Sequence, residues 1–249
     1  MSIKSKIEWT ENTWNPVTGC SKISEGCLNC YACKMASRLK LMGNHKYSKG
    51  FELNLHESCL DEPLKMKKPS LIFVNSMSDL FHEDVPVEFI QKIFYTMNNA
   101  SWHFFQVLTK RAERLAELAP LLNWTPNIWQ GVTVENDRHK NRIDFLRNVP
   151  AHVRFISFEP LIGEIKNVDL SDIHWAIIGG ESGPNSREIK KEWVVKLKNA
   201  CECQGTLFYF KQWGGFNKKK TGRVLLGKTW DDMPVSKKEI SHSLSLNMF

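Results

Sequence analysis

A short polar stretch near the N-terminus carries the residues best suited to chemistry. Residues 19–33, GCSKISEGCLNCYAC, hold four of the seven cysteines of the 249-residue chain. Cys20, Cys27 and Cys30 follow a C-x6-C-x2-C spacing, and Cys33 adds one more C-x2-C step. The N-terminus lacks the hydrophobic core of a signal peptide, so disulfides are not expected. Thiolates at this density indicate a metal centre.

Two kinds of metal centre are compatible with this spacing. Four cysteines can close a tetrahedral zinc site, whereas three can hold a 4Fe–4S cluster that keeps one iron open. A structural zinc site usually has two C-x2-C pairs separated by a longer loop, while here three cysteines crowd together with a fourth upstream. The spacing therefore favours an iron–sulfur centre. Gly19, Gly26 and Asn29 indicate an exposed turn rather than buried thiols in a core strand.

The segments around these cysteines resemble a known family. IEWTENTWNPVTGCSKISEGCLNCYA is similar to the opening of the phage-associated radical S-adenosylmethionine family, which is related to spore photoproduct lyase. The resemblance continues through FYFKQWGG to TWDDMP and so covers most of the chain. It implies a 4Fe–4S cluster and S-adenosylmethionine as cofactors, with an external electron donor as a partner.

By this resemblance the cluster ligands are Cys20, Cys27 and Cys30, and the fourth iron chelates S-adenosylmethionine. The superfamily usually has a C-x3-C-x2-C spacing with an aromatic residue before the last cysteine. This chain has three extra residues and carries Asn29 at the aromatic position. Tyr31 is the candidate to take over the role of that aromatic residue.

Cys33 is the candidate for a fourth ligand. The sequence YACKMASRLKLM predicts a helix over residues 31–42 that ends at Gly43. On this helix Cys33 lies about one turn beyond Cys30. If Cys33 closed the site, no iron would be open for a cofactor, and the enzyme hypothesis would fail.

The elements that position these residues follow a β–α alternation, in which apolar runs rich in Ile, Val and Phe are each followed by a polar turn. With a strand within residues 7–18 that leads into the cysteines, the pattern predicts six or seven parallel strands, too few for a closed eight-stranded barrel. We expect an α/β fold, an open partial (β/α)6-type parallel barrel, as the radical S-adenosylmethionine resemblance also implies. The other runs are SLIFVN at 70–75, HFFQVLT at 103–109, NIWQGVTV at 127–134, HVRFISF at 152–158, HWAIIGGESG at 174–183 and TLFYFKQWGG at 206–215.

The chain divides into two predicted parts. Residues 1–215 form the partial-barrel domain, which includes the cluster loop 19–33. Residues 216–249 form a basic C-terminal cap and tail, in which glycines flanking β-prone residues indicate a hairpin.

Polar residues gather directly after the apolar runs. In parallel β/α architectures the carboxyl ends of the strands face the active site, so these residues are expected at one mouth. S-adenosylmethionine presents a carboxylate, an ammonium group, a ribose and an adenine, and each needs a different partner. The candidate cofactor-binding residues are Ser76, Asp79, Lys110, Thr133, Glu135, Glu159, Gly179, Gly180 and Glu181.

The resemblance suggests roles for some of these residues. VLTKR is similar to the strand end in spore photoproduct lyase whose lysine pairs with the cofactor carboxylate, which implies that role for Lys110; the alternative is the start of a solvated helix. Ser76 and Asp79 are candidates for the ammonium or ribose, although helix capping by Ser78 or Asp79 is a competing explanation.

The remaining candidates line the later strand ends. Thr133, Glu135 and Glu159 are candidates for ribose or substrate contacts. In GGESG at 179–183, glycines that allow close approach are expected beside the adenine, with Glu181 as a polar contact; a tight turn is the alternative. No residue is assigned as a catalytic acid or base.

Charge and hydropathy set the expected partners. Lys plus Arg number 34 against 27 Asp plus Glu, a net charge of +7, which favours anionic partners such as nucleic acid, nucleotides or phosphorylated metabolites. Part of the excess lies near the C-terminus, where a solvated tail explains it equally well and where Trp213 and Trp230 are candidates for base stacking. No apolar run is long enough to span a bilayer, so a cytoplasmic protein without a membrane partner is expected.

The leading hypothesis is a radical S-adenosylmethionine enzyme that abstracts hydrogen from a nucleic acid or nucleotide, with a peptide as the rival substrate. The alternative is a non-enzymatic nucleic-acid-binding module with a structural zinc site formed by Cys20, Cys27, Cys30 and Cys33. The identity of the metal separates the two hypotheses.

Overall fold

The computed structural model describes residues 3–5 and 7–235, and a curled sheet of eight strands lies at its centre. Two further short strands pair outside this sheet. In chain order the strands are β1 (Ile3–Lys4), β2 (Asn12–Trp14), β3 (Val17–Thr18), β4 (Asn54–Leu55), β5 (Leu71–Val74), β6 (Phe104–Thr109), β7 (Ile128–Thr133), β8 (Val153–Phe158), β9 (Trp175–Gly179) and β10 (Leu207–Gln212).

The strand order in the sheet is β1-β2-β5-β6-β7-β8-β9-β10. Within this sheet only β1 runs antiparallel to its neighbour. The other seven strands, β2 and β5 to β10, are parallel. Successive parallel strands need crossover connections, which is why helices separate most of them in the sequence. The seven strands curl into a half-barrel, which confirms the predicted partial barrel.

Helices α2 to α5 pack against one face of the sheet, whereas α1 packs in a separate small cluster with Tyr47 and Met77. Helix α1 ends one residue earlier than predicted, with Met42 as its cap and Gly43 at a φ of 73° beyond it. None of the helices within the described residues is long and apolar enough to cross a membrane. The helices are α1 (Tyr31–Leu41), α2 (Val87–Asn99), α3 (Ala112–Leu118), α4 (Arg142–Arg147), α5 (Lys191–Gln204) and α6 (Lys218–Thr221).

Alternation along the strands separates two apolar layers. Every second side chain along a strand, for example Ile72 in β5 and Val107 in β6, packs against the helices. The others form an aromatic layer on the concave face, where the ring centroids of Trp9 and Trp175 are 6.2 Å apart. A Cβ on Gly131 would lie 2.5 Å from the ring of Phe155, so only glycine fits there. One polar side chain, Gln106 of β6, is buried beside this layer and donates to Trp9 O at 3.1 Å.

Two regions outside the predicted apolar runs form only short elements. The segment between α1 and β5 contains β4, which pairs with β3 in the second sheet. The predicted C-terminal hairpin is reduced to a bridge between Leu225 and Lys228. Trp230 packs on Phe208 of β10, with ring centroids 5.7 Å apart. The division at residue 216 stays a prediction, and residues 236–249 of the predicted tail lie outside the described residues.

Candidate metal and cofactor site

The cysteine loop begins directly after β3, at the carboxyl-end mouth of the half-barrel. Gly19 adopts a φ of 82°, and a Cβ there would lie 2.0 Å from the carbonyl oxygen of Glu52, so glycine is required. The amide of Gly19 donates to Met77 O at 3.1 Å, and that of Cys20 donates to Phe51 O at 3.2 Å. These bonds fix the point at which the loop enters the mouth.

A buried arginine holds the first cysteine. Arg111 Nη1 lies 3.5 Å from Cys20 Sγ and 3.2 Å from Asp79 Oδ2. Its Nε donates to Glu83 Oε2 at 2.7 Å, and its Nη2 donates to Ser21 Oγ at 2.7 Å. Burial and the charge of Asp79 raise the pKa of the Cys20 thiol to about 11, and Arg111 opposes this rise.

Asp79 connects the turns that follow β5 and β6. Its oxygens accept hydrogen bonds from Phe81 N at 3.0 Å, Thr109 Oγ1 at 2.6 Å and Lys110 N at 3.0 Å, in addition to Arg111. The side chain is 6% exposed, so these contacts with the chain's own groups account for most of its hydrogen-bonding capacity. In this arrangement Asp79 positions Lys110 and Arg111 at the mouth.

Ser76 lies between the cysteine loop and the turn after β2. Its Oγ donates to Asn15 Oδ1 at 3.2 Å, and its carbonyl oxygen accepts the hydroxyl proton of Tyr31. Tyr31, predicted to substitute for an aromatic residue of the superfamily, is thus fixed at the start of α1 against the β5 turn.

The middle of the loop rests on Glu135, which is fully buried. Ser24 Oγ donates to Glu135 Oε1 at 2.6 Å, and Arg142 Nη1 donates to Oε2 at 2.8 Å. A Cβ on Gly26 would lie 2.5 Å from Glu135 Oε1, so the loop approaches the carboxylate at a distance that only glycine permits. Lys110 Nζ lies 3.9 Å from the same oxygen.

Lys110 also acts on the second cysteine. Burial opposes ionisation of the Cys27 thiol, but the charge of Lys110 and hydrogen bonds from the backbone at Ile23 and from Ser24 outweigh it and lower the pKa of that thiol. A thiolate is the form that binds metal. The side chain of Lys110 is 23% exposed, so its amino group remains open to a ligand at the mouth.

Asn29 ties the end of the loop to the turn after β9. Its Nδ2 donates to Glu181 Oε2 and to Asn185 O, both at 3.0 Å. Glu181 is also held by Arg187, whose Nε lies 2.9 Å from Oε2 and whose Nη2 lies 2.5 Å from Oε1. The residue that replaces the usual aromatic therefore anchors Cys30 to the opposite wall.

The concave face ends in polar groups above the aromatic layer. Glu159 Oε1 lies 2.9 Å from Lys211 Nζ, and Ser157 Oγ donates to Glu159 Oε2 at 3.2 Å. A Cβ on Gly179 would lie 2.5 Å from Glu159 Oε1, so this glycine makes room for the carboxylate. Thr133 is buried at the equivalent end of β7.

Gly180 serves the packing of the same wall. Its amide donates to Gln212 O at 3.0 Å, and a Cβ there would lie 2.1 Å from the carbonyl oxygen of Trp213. The turns after β9 and β10 therefore touch through their backbones.

The structure brings the cysteines of the loop to one mouth without converging their sulfurs. Cys20, Cys27, Cys30 and Cys33 are all half-buried. Across residues 3–5 and 7–235, no three His, Cys, Asp or Glu side chains lie close enough together to hold a metal ion. The donor chemistry nevertheless fits an iron–sulfur cluster, because the candidate ligands are all thiols of one loop. Binding a cluster would have to bring their sulfurs together.

Sequence reasoning overlooked several residues of this mouth. Arg111 was treated only as a neighbour of Lys110, and neither Lys211 nor Arg187 was singled out. Arg111 follows one apolar run, Lys211 lies near the end of another, and Arg187 lies in the turn after a third. Position after an apolar run is the same signal that indicated the other candidates. The sequence alone does not show which carboxylate or thiol each of these cations contacts.

Comparisons with known proteins agree with this architecture. A family model described as "Protein of unknown function (DUF5131)" matches residues 4–234. A spore photoproduct lyase double mutant with bound AdoMet and dinucleoside spore photoproduct superposes with a TM-score of 0.54 at 12% identity, over 86% of this chain and 79% of that chain. Spore photoproduct lyase complexed with the same dinucleoside gives a TM-score of 0.56 at 12% identity, over 85% and 78%.

These likenesses show the fold, the partial α/β barrel of radical S-adenosylmethionine enzymes. No curated protein matches the chain. Phage association, which the sequence resemblance implied, stays a prediction.

Proposed function

We propose that this chain, which belongs to the DUF5131 family of proteins of unknown function, is a radical S-adenosylmethionine enzyme that modifies a nucleic acid or nucleotide. In this proposal Cys20, Cys27 and Cys30 hold a 4Fe–4S cluster. When bound, such a cluster would supply one electron from an external donor for reductive cleavage of S-adenosylmethionine to methionine and a 5′-deoxyadenosyl radical, which would take a hydrogen atom from the substrate. The chain's own residues bind, orient and enclose the reactants.

One observation carries the proposal. Three thiols lie in a single loop at the carboxyl-end mouth of a half-barrel of parallel strands, and Arg111 Nη1 lies 3.5 Å from the sulfur of the first, Cys20. Strand carboxyl ends are where enzymes of parallel β/α architecture place their chemistry. The charge of Lys110 lowers the pKa of the Cys27 thiol towards the deprotonated form that ligates iron, and Arg111 opposes the rise that burial and Asp79 cause in the pKa of Cys20.

The mouth also offers partners for the cofactor's polar groups. Lys110, with its partly exposed amino group, would pair with the carboxylate. Ser76 and Thr133 would contribute hydroxyl groups to the ammonium group or the ribose, and the Gly179 and Gly180 turn would lie against the adenine.

The buried acids are proposed to act mainly by positioning. Asp79, Glu135 and Glu181 each accept several hydrogen bonds from the chain itself, and they hold Arg111, the Gly26 turn and Asn29 respectively. Glu159, paired with Lys211 at the end of the concave face, is proposed as a contact for the ribose or the substrate.

A nucleic acid or nucleotide as substrate is supported by two observations. The net charge of +7 favours an anionic partner. Spore photoproduct lyase, whose fold this chain shares, is seen with a dinucleoside photoproduct. A peptide remains the rival outcome of the experiment below.

The test begins with the metal. The protein is purified and reconstituted without oxygen, and iron and acid-labile sulfide are measured; a 4Fe–4S cluster requires roughly four of each per chain. Incubation with S-adenosylmethionine and a reductant should then release 5′-deoxyadenosine. With deuterated oligonucleotides, deuterium should appear in the 5′-deoxyadenosine.

Two results would overturn parts of this proposal. A colourless protein with one tightly held zinc ion per chain would establish the zinc-module alternative. Cluster-loaded protein that cleaves the cofactor but takes deuterium only from a peptide would remove the nucleic acid substrate and leave the radical chemistry in place.

A further inference from the structure

The segment after β10 concentrates positive charge. Between Gln212 and Asp231 the sequence has no acidic residue and five cationic residues, Lys218, Lys219, Lys220, Arg223 and Lys228. A cluster of cations without interspersed acids is typical of a surface that meets an anionic partner.

Three of these cations already have partners. Lys218 Nζ lies 2.9 Å from Glu8 Oε1, and Arg223 pairs with Asp231. Lys228 Nζ lies 3.9 Å from the ring centroid of Trp230. Lys219 and Lys220 are exposed and form no ion pair with any residue that the structure describes. These two lysines are therefore the free charges of the segment.

Phe216 lies one turn before these lysines and is 81% exposed. The two tryptophans predicted to stack, Trp213 and Trp230, are half-buried. Trp213 lies against Phe210, with centroids 4.8 Å apart, and its Nε1 donates to Val224 O. Trp230 packs on Phe208. Phe216 rather than a tryptophan thus offers an open ring to a ligand.

The backbone around Phe216 is well held. Asn217 Oδ1 accepts from Lys219 N at 3.2 Å and Lys220 N at 3.4 Å. Thr221 Oγ1 donates to Gly214 O at 2.6 Å and closes the turn. The ring and the two free lysines are therefore presented together by a single short element.

This element lies at the same mouth as the cysteine loop. Gly215, next to Phe216, donates through its amide to Glu181 O at 2.8 Å. The carboxylate of Glu181 accepts from Asn29, the residue before Cys30. Gly215, Glu181 and Asn29 therefore connect the backbone at Phe216 to the candidate metal site through two hydrogen bonds.

We infer that Phe216, Lys219 and Lys220, here named the Phe216 lip, form a binding surface for one strand of nucleic acid. A base stacks on the ring and the lysines neutralise neighbouring phosphates, a combination that tolerates different sequences. This inference deepens the proposed function and rests on its nucleic acid substrate. The open ring distinguishes the lip from a merely basic patch, because an acidic protein needs the charges but not the flat aromatic face.

Binding of a short fluorescein-labelled oligothymidylate, followed by anisotropy across a salt series, tests the inference on the full chain. Phe216→Ala should weaken binding roughly tenfold, because stacking on an aromatic residue is sequence-independent and lost on truncation. Phe216→Leu should behave like Phe216→Ala, and Phe216→Trp should retain binding. The Lys219→Gln, Lys220→Gln double variant should reduce the magnitude of the slope of log affinity against log salt by about 1.4, because each lost phosphate contact contributes about 0.7.

Matched controls come from other faces of the molecule. Tyr95 lies on α2 and is 68% exposed, so Tyr95→Ala removes a comparably exposed aromatic ring from another element. Lys67 and Lys68 are exposed just before β5, at the amino ends of the strands, so changing both to Gln removes the same charge from the opposite edge. Both controls should bind as the unchanged protein does.

Each contrary result has a separate meaning. Lip variants that bind like the controls would overturn the lip while leaving the proposed substrate intact. Displacement of the oligonucleotide by polyglutamate, together with binding by Phe216→Leu equal to that of the unchanged protein, would make the surface an acidic-protein site and overturn the inference. No binding by the unchanged protein at low salt would overturn the nucleic acid substrate and the lip with it, whereas the iron and sulfide content judges the cluster independently.

Discussion

Arg111 and Cys20 are 91 residues apart in sequence, yet the Nη1 of the guanidinium lies 3.5 Å from the cysteine sulfur. The arginine is buried and is held by Asp79 and Glu83, so its position is well defined. A fixed positive charge therefore lies beside the first sulfur of the proposed cluster.

This charge should influence reduction of the cluster. Hydrogen bonds to the sulfurs and net charge set cluster potentials, and a cation stabilises the reduced, more negative form. We expect Arg111→Gln to lower the midpoint potential by about 59 mV, a tenfold change in a one-electron equilibrium. Arg111→Lys should stay closer to the unchanged protein. Redox titration followed by electron paramagnetic resonance measures this, and equal potentials at equal iron content would contradict it.

The contact between Gly26 and Glu135 should make the cysteine loop sensitive to one methyl group. A Cβ at Gly26 would lie 2.5 Å from Glu135 Oε1, and Arg142 holds the other oxygen of that carboxylate at 2.8 Å. We expect Gly26→Ala to lower the free energy of unfolding by about 1–3 kcal/mol, the usual cost of overpacking. Urea denaturation measures the loss. Adding Glu135→Asp should recover part of it, and strictly additive losses would argue against the clash.

The four cysteines of the loop should not be equivalent. Cys20→Ala, Cys27→Ala and Cys30→Ala should each abolish stable cluster assembly, because each removes a ligand that the cluster requires. Cys33→Ala should retain the iron and sulfide content of the unchanged protein. If Cys33→Ala also lost the cluster, Cys33 would be a fourth ligand. Four thiolates would then close the site, and the open-iron mechanism would be wrong.

Lys110 should contribute to cofactor affinity. In cluster-loaded protein, Lys110→Ala should weaken S-adenosylmethionine binding by about 1.5–3 kcal/mol, the range for a charge-assisted hydrogen bond. Isothermal titration calorimetry measures the affinity, with iron content as a check on the cluster. Lys92→Ala, which removes an exposed lysine paired with Glu57, is the control. Unaltered affinity in the Lys110 variant would exclude this residue from the cofactor site.

The opposite pKa shifts of two thiols predict an order of modification in metal-free protein. The pKa of Cys27 is lowered through Lys110, whereas that of Cys20 is raised to about 11. At pH 8 a thiol of pKa 11 is ionised on the order of one part in a thousand, so Cys27 should react with iodoacetamide well before Cys20. Peptide mass spectrometry gives the order. As pH rises towards 11 the difference should shrink, and Lys110→Met should slow modification of Cys27; equal rates at pH 8 would contradict the assignment.

The sequence by itself determined the features that depend on local order. The apolar runs and their turns predicted the parallel half-barrel, since a buried strand needs a short apolar segment wherever it lies. The helix predicted over 31–42 was found at Tyr31–Leu41, because helix formers and a terminating glycine act within one segment. The cysteine spacing predicts a metal centre, which stays a prediction.

The tertiary structure decided which partner each polar group has. Asn29 and Glu181 are 152 residues apart in sequence, and their hydrogen bond arises from the curl of the sheet. Arg111 was inconspicuous in the sequence because its neighbour Lys110 carries the same charge, and only burial against Cys20 separates the two. Packing against Phe210 half-buries Trp213, whereas Phe216 stays 81% exposed. Local patterns set which segments form strands and helices, whereas contacts between distant segments set each side chain's exposure, partners and charge state.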